Sequence, residues 1–397
     1  MPGHARTGGR DVIFAWEQCK LGDVCEEVSG NNGNVKGLPI LTISAANGWM
    51  NQKDRFSQVI AGNELKKYTL LKKGHLAYNH GNSKQAKYGT VFVQNLYDQA
   101  LVPRVYHSFK MKTENNPYYV EYYFATKKLD RELARLVTSG ARMDGLLNIN
   151  KKDFFKIKFE VPTPVEQSLI GTILQKLDQT ITLHEEKKRQ LERLKSALLQ
   201  KMFADKSGYP PVRFEGFSDK WEQVKYGEIF QRRSKMGVST PTLPSVEYDD
   251  INPGMGTLNK EPKSKGISKR GIYFNPGDVL FGKLRPYLKN WLFACFEGVA
   301  VGDFWVLTSS KIDHGFTYSL IQTPGFQYIA NLSSGSKMPR SDWGLVSNAR
   351  TFIPINHLEQ ERISSVLFGL DHAITLYEHK LEILNKIKSF LLQNMFI

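Results

Sequence analysis

No stretch of about 18 consecutive apolar residues occurs in this 397-residue chain, which excludes a helical membrane span. The segment Met1 to Arg10 lacks the apolar core of a secretory signal, so a cytoplasmic protein is expected. Cysteine is scarce. Cys19, Cys25 and Cys295 are odd in number and have no metal-ligand spacing, which predicts reduced bystander thiols. Catalytic signatures are missing as well. The only Pro-Pro pair, Tyr209-Pro210-Pro211-Val212, lacks the preceding Asn or Asp and the following aromatic with which an amino-methyltransferase grips a flipped base. Gly254-Met255-Gly256 has no third glycine at dinucleotide-binding spacing, and no phosphate loop ending in Gly-Lys-Ser/Thr occurs. His184-Glu185-Glu186 has no second histidine at zincin spacing. Asp250 with Glu261-Pro262-Lys263 imitates a magnesium-nuclease arrangement, but it lies in a Gly/Pro-rich stretch and has no counterpart elsewhere in the chain. The expectation is a chain without catalytic residues, metal or cofactor of its own.

What the chain does have is itself, twice. Glu166 to Phe203 aligns without a gap on Glu359 to Phe396 at an offset of 193 (359 − 166), and Leu177/Leu370, Asp178/Asp371, Ile181/Ile374, Lys195/Lys388 and Phe203/Phe396 are among the identities. The duplication extends upstream. Trp16-Glu17-Gln18 answers Trp221-Glu222-Gln223 at an offset of 205, and Gly74-His75-Leu76 answers Gly277-Asp278-Val279 at 203. Thr138-Ser139-Gly140-Ala141-Arg142-Met143 answers Ser333-Ser334-Gly335-Ser336-Lys337-Met338 at 195. The offset falls by 205 − 193 = 12 residues along the repeat, as expected when a framework is kept and its surface loops vary. A chain built twice over suits a partner that also comes in two halves.

Charge points to that partner. Lys and Arg exceed Asp and Glu by 15 and the pI is about 9.4, a balance that suits a surface neutralising phosphates. The repeat also sets the predicted organisation: a tail over 1–10, a mixed domain over 11–160, a helical region over 161–206, a linker and second mixed domain over 207–352, and a second helical region over 353–397. Within the first mixed domain, β-rich runs such as 38–43 and 91–93 are punctuated by Gly and Asn, and one helix is expected over Tyr118 to Leu136.

Each helical region is led by proline and keeps apolar residues at alternating steps of four and three. The first seam reads Ile170, Leu174, Leu177, Ile181, His184, Leu191, Leu198 and Met202, with Lys188 and Lys195 on the same track. The second reads Ile363, Leu367, Leu370, Ile374, Tyr377, Leu381, Leu384, Leu391 and Met395, interrupted by Lys388. Leu194 and Ile387 stand beside the lysines, so the apolar stripe is expected to slide sideways there. His184 is expected to pack, not to ligate. Two such seams in one chain can pair antiparallel, and a helix of this length, about 55–60 Å, exceeds one duplex turn of about 34–36 Å.

The order of parts carries a family resemblance. A variable domain is followed by a helix ending Leu198-Leu199-Gln200-Lys201-Met202-Phe203, and a joint Val212-Arg213-Phe214-Glu215-Gly216-Phe217 precedes Trp221. A second variable domain then carries Gly277-Asp278-Val279-Leu280-Phe281-Gly282-Lys283-Leu284-Arg285-Pro286-Tyr287-Leu288-Lys289-Asn290, and a second helix ends Leu391-Leu392-Gln393-Asn394-Met395-Phe396. This plan resembles the specificity subunit of type I DNA restriction-modification systems. The residues before Trp16 depart from the pattern, because they lack the Arg-Phe-x-Gly-Phe lead. The resemblance implies an α+β protein with two α/β target recognition domains in tandem, each followed by a long helix, the helices forming an antiparallel coiled coil with pseudo-two-fold symmetry. It further implies that each domain reads one half of a split, asymmetric double-stranded DNA target and that the helices set the unread gap. Two modification subunits would dock and methylate adenine with S-adenosylmethionine, and restriction and translocase subunits would use ATP and magnesium.

Base readers need Arg or Lys for guanine and Asn or Gln for adenine, presented from loops. In the first domain Asn79, His80, Asn82, Lys84, Gln85, Lys87 and Tyr88 crowd one stretch, and in the second Lys283, Arg285, Tyr287, Lys289 and Asn290 occupy the equivalent place. Arg142 and Lys337 keep a cation in both copies, which suits phosphate contact better than base readout.

Overall fold

The computed structural model describes residues 4–7, 10–13, 16–30, 35, 37–56, 62–81, 83–112, 114–138, 146–261, 268–332 and 338–396. It divides into two compact units, one of Met1–Leu183 with Glu382–Ile397 and one of His184–Leu381.

The first unit is organised on a four-stranded antiparallel sheet in the order Cys25–Glu27, His107–Met111, Leu76–Asn79, Thr90–Val93. Side chains alternate across a strand, and this sheet buries both faces. Leu76, Tyr78 and Val91 point into a core completed by Phe109, Tyr119, Tyr123 and Phe154. Ala77, between them, points into a separate cluster with Leu41, Ile43, Trp49, Leu71 and Val102. Glu17–Lys20 pairs with Lys158–Val161 and ties the front of the unit to the strand that leads into the first long helix.

The helix expected over Tyr118 to Leu136 is two helices, Pro117–Ala125 and Asp130–Leu136. The break has a local cause: Lys127 adopts φ 63° and the Thr126 hydroxyl donates to the Tyr123 carbonyl at 2.6 Å, so the ladder ends there. Glu121, on the first of these helices, accepts the Val93 N–H at 2.6 Å. Burial pushes its carboxyl up to about 7; the Val93 N–H and Lys388 oppose the shift, and Asp178 adds to it. A raised carboxyl pKa contributes stability in full below the unfolded value near 4.5 and loses it as pH rises through about 7. The thermal midpoint is therefore expected to fall as pH rises from about 4.5 through about 7, by a total loss on the order of 3 kcal/mol, and to level off above that. Glu121→Gln should flatten that window, and an unchanged slope would count against this assignment.

The second unit repeats the plan. Its sheet runs Gln231–Arg232, Phe304–Thr308, Val279–Gly282, Trp291–Phe293, again antiparallel throughout. Val279, Phe281 and Trp305 enter one core, and Leu280, Phe304 and Val306 enter another. Glu222–Lys225 pairs with Arg350–Ile353, as its counterpart does in the first unit. A second four-stranded sheet, containing Met236–Val238 and Arg270–Phe274, has no counterpart among the described residues of the first unit.

The long helices span Pro164–Lys201 and His357–Asn394. Ile170, Leu174, Ile181, Ile363, Leu367 and Ile374 are buried, and Leu177, Leu191, Leu198, Leu370, Leu381, Leu384 and Leu391 are half-buried. The stripe does not slide at the lysines. Leu194 and Ile387 are 47% and 43% exposed, whereas Lys195 keeps its seam position at 9%. It does so because Asp371, with a side chain 9% exposed, pairs with it in the second unit, and the Gln322 side chain accepts from the same ammonium at 2.7 Å. Lys188 pairs with Glu378 at 2.7 Å in that unit, so the seven-residue step from 188 to 195 is answered by a seven-residue step down from 378 to 371. In the first unit Lys388 pairs with Asp178 at 2.6 Å. Subtracting 193 from Lys388 and adding it to Asp178 returns Lys195 and Asp371, so one ion pair occurs in both units. Its tyrosine is repeated too: Tyr122 donates to Asp178 at 2.9 Å, and Tyr318 packs beside Asp371. His184 packs edge-to-face on Tyr377 at 5.4 Å between centroids.

Candidate nucleic-acid interface

Each unit carries a loop that leaves the inner strand of its main sheet and is held by an antiparallel bridge: Gly81 to Leu146 in the first, Leu284 to Arg340 in the second. The bridges are equivalent, at offsets of 203 and 194. Each pins its loop beside the segment that follows the Ser-Gly-x-Arg/Lys-Met element. Arg142, Lys337 and Asn82 lie outside the described residues.

In the first unit the loop is shaped by its own turn. The Ser83 N–H donates to the Ala86 carbonyl at 3.2 Å, and the Tyr78 hydroxyl donates to the Tyr88 carbonyl at 2.6 Å. Gly89 sits at φ +84°, and a Cβ there would stand 2.5 Å from the Asn79 carbonyl oxygen, so glycine is required. Lys84, Gln85 and Lys87 are exposed, and the Lys87 ammonium lies 5.4 Å from the centre of the half-buried Tyr88 ring.

Three expected readers face inward. His80 is buried, with its ring nitrogens 2.5 Å from the Leu147 carbonyl and 2.8 Å from the Val105 carbonyl. It holds the loop base together and presents nothing to a ligand. Asn79 donates to the Ile43 carbonyl at 3.2 Å and accepts the Gly81 N–H at 3.2 Å, which likewise spends its amide inside the domain. In the second unit Asn290 is buried and its carbonyl accepts the Gly282 N–H at 2.7 Å.

Of the remaining residues of the second loop, Tyr287 is exposed and Lys283 and Arg285 are half-buried. Arg285 and Lys289 both adopt left-handed backbone, at φ 48° and 58°, flanking the turn Pro286–Leu288. Each costs on the order of 1 kcal/mol in a non-glycine residue. The surroundings fix them: the Arg285 N–H donates to the Pro339 carbonyl at 2.7 Å, and the Lys289 carbonyl accepts the Gly254 N–H at 2.8 Å. Lys283 approaches Asp303 at 3.8 Å, but Asp303 is held more closely by Arg340, at 2.7 Å. Lys289 is exposed.

Sequence spacing could not reveal another group. Lys66, Lys67, Arg104 and Lys151 line one cavity of about 320 Å³ in the first unit, with Glu27 paired to Lys151 at 2.8 Å. These cations come from segments far apart in the sequence, so no local motif marks them. Asp250, part of the nuclease-like pattern, pairs with Lys260 at 2.7 Å and accepts the Glu247 N–H at 2.9 Å; Pro262 and Lys263 lie outside the described residues. Among the described residues no group of three or more His, Cys, Asp or Glu could hold a metal ion, and no helix is long and apolar enough to cross a membrane.

The front of each unit repeats as well, with one difference. The Trp16 indole N–H donates to Glu166 at 3.2 Å and the Trp221 indole N–H to Glu359 at 3.3 Å. Among the described residues only Glu359 also receives a bidentate guanidinium, that of Arg213, at 2.7 and 2.9 Å. Arg213 belongs to the lead that is missing before Trp16.

Residues 15–193 match the family model described as the type I restriction modification DNA specificity domain. Over 292 residues, covering 67% of each protein, the chain is 23% identical to the type I restriction enzyme MjaVIII specificity subunit of Methanocaldococcus jannaschii. Over 260 residues it is 21% identical to the EcoDI specificity subunit of Escherichia coli, a match spanning 58% of this chain and 55% of that protein. The crystal structure of a type I restriction-modification S subunit from M. genitalium shares the fold, with a TM-score of 0.64 at 14% identity over 100% of this chain and 99% of that one. By these matches the chain carries the DNA specificity domain over residues 15–193 and is similar to the specificity subunits of type I restriction-modification systems, which are non-catalytic.

Proposed function

We propose that the two units read the two halves of a split, asymmetric DNA target, each through the loop bridged to the segment that follows its Ser-Gly-x-Arg/Lys-Met element. The observation that carries this reading is the recurrence, in both units, of one sheet order, one loop bridge and one Lys-Asp-Tyr cluster. The long helices form an antiparallel coiled coil with pseudo-two-fold symmetry that fixes the unread gap. Exposed apolar residues along them, Val165, Leu169 and Ile173 on the first and Ile383, Ile387 and Phe390 on the second, suit docking of two modification subunits. Those subunits bring S-adenosylmethionine and methylate adenine; restriction and translocase subunits bring ATP and magnesium, in the cytoplasm where the DNA lies. The +15 balance supplies salt-sensitive affinity for DNA.

The test is to co-express the chain with its neighbouring modification subunit in a methylation-free host and map methylated adenines. A split motif with a fixed gap, lost when this chain is omitted, is the expected result; a soluble complex that leaves no methylation would count against the reading. Lys84→Ala or Lys289→Ala should weaken binding by about 1–3 kcal/mol and relax one half-site alone. Equal loss on target and unrelated DNA, with the salt slope reduced by about one, would make them phosphate contacts.

A further inference from the structure

The loop of the second unit ends in something the first lacks. Between Arg285 and Lys289, both held in left-handed backbone, the turn projects Tyr287 at 55% and Leu288 at 44% exposure, while Pro286 between Arg285 and Tyr287 is buried as an anchor. The tip is fixed from within by Leu288 N–H to the Arg285 carbonyl and Lys289 N–H to the Pro286 carbonyl, both 2.9 Å, and from outside by the bonds to Pro339 and Gly254. The equivalent loop of the first unit presents Lys84 and Gln85 instead, and its one large ring, Tyr88, is half-buried against the core.

An aromatic and an aliphatic side chain on a rigid turn, between Lys283, Lys289 and Arg340, suit one kind of contact. The cations draw the loop onto phosphates, and an apolar pair brought to a duplex gains most by entering between base pairs, where side chains of this kind unstack a step. A turn whose backbone is already held in its left-handed conformation loses little further freedom on insertion. We infer that Tyr287 and Leu288 form a wedge that unstacks one base step of the half-site read by the second unit, and that the first unit reads its half without unstacking. This rests on the DNA-reading function proposed above. It places part of the specificity in the ease with which a step opens, in addition to hydrogen bonds to base edges.

The test uses the full chain with its modification subunits and duplexes of the target mapped by methylation. 2-Aminopurine replaces one base at a time in either half, away from the methylated adenines. Binding is followed by anisotropy and unstacking by probe fluorescence. Fluorescence should rise at one step of one half only. In the double variant Tyr287→Ala/Leu288→Ala that rise should vanish and target affinity should fall about tenfold to a hundredfold. Tyr287→Phe should keep the rise, because it retains the ring. A mismatch placed at the same step should recover most of the lost affinity, since the step is then already weakened. Specific binding without any rise, or a rise that survives the double variant, would overturn the wedge and leave the DNA-reading function standing. Absence of sequence-specific binding by the unaltered complex would overturn both. Unchanged DNA binding by the double variant, with loss of the modification subunits, would make the turn a protein-docking surface and also overturn the wedge.

Discussion

Lys195→Ala is expected to destabilise the second unit by about 3–5 kcal/mol, because it leaves Asp371 buried without its ammonium. For a unit of this size that corresponds to roughly 10 °C in midpoint. Burial already pushes the Asp371 carboxyl up despite Lys195, so removing the lysine drives it towards the neutral form and leaves Gln322 without its donor. The paired replacement Lys195→Met with Asp371→Leu should recover most of the loss, since an apolar pair of similar volume avoids desolvation altogether. The repeated pair provides an internal comparison. Lys388 and Asp178 are 30% and 34% exposed, so Lys388→Ala should cost about 1 kcal/mol or less. Similar losses at the two positions, measured by denaturant unfolding, would show that burial does not govern the difference.

Inserting four residues into the first long helix near Glu185 should abolish methylation of the original target and create a target with the same two halves. Four residues add about 6 Å of rise, close to two base pairs, and turn the helix by little more than one full rotation. The seam residues beyond the insertion therefore still face roughly their original side. Methylome mapping reads the outcome directly. An altered half-site with an unaltered gap would overturn the proposal that the helices set the spacing.

Much of this architecture was legible in the sequence because it is written twice. The four-and-three spacing of Ile170, Leu174, Leu177 and Ile181 fixes a seam, and these positions are buried or half-buried as that periodicity requires. The lysines were harder. Lys195 looks like a defect in an apolar stripe until Asp371, distant in sequence, is seen beside it, and no periodicity reports such a pairing. The helix break at Lys127 was hidden for the opposite reason: its cause is one backbone torsion, and lysine carries no bias towards φ 63°. His80 and Asn290 have the right chemistry for base readout but point inward. What turns His80 inward is the pair of carbonyls of Val105 and Leu147, which only the folded chain brings together. The candidate reading loops were picked out by residue type and position, while which of their side chains face inward required the fold.

The first unit also sets an order of events during synthesis. Its core includes Phe396, buried against Tyr119 and Tyr123 at 5.4 and 5.7 Å between ring centroids, with the Phe396 carbonyl accepting from Lys128 at 2.7 Å. Leu391, Leu392 and Met395 pack on the same core. These residues leave the ribosome roughly 200 residues after Leu183, a delay of about 10–40 s at ordinary translation rates. The half of the protein made first thus waits, with aromatic surface uncovered, for a segment made much later. Nascent chains interrupted in that interval would leave Tyr119 and Tyr123 uncovered, so the core of the first unit closes only once the end of the long second helix has been made.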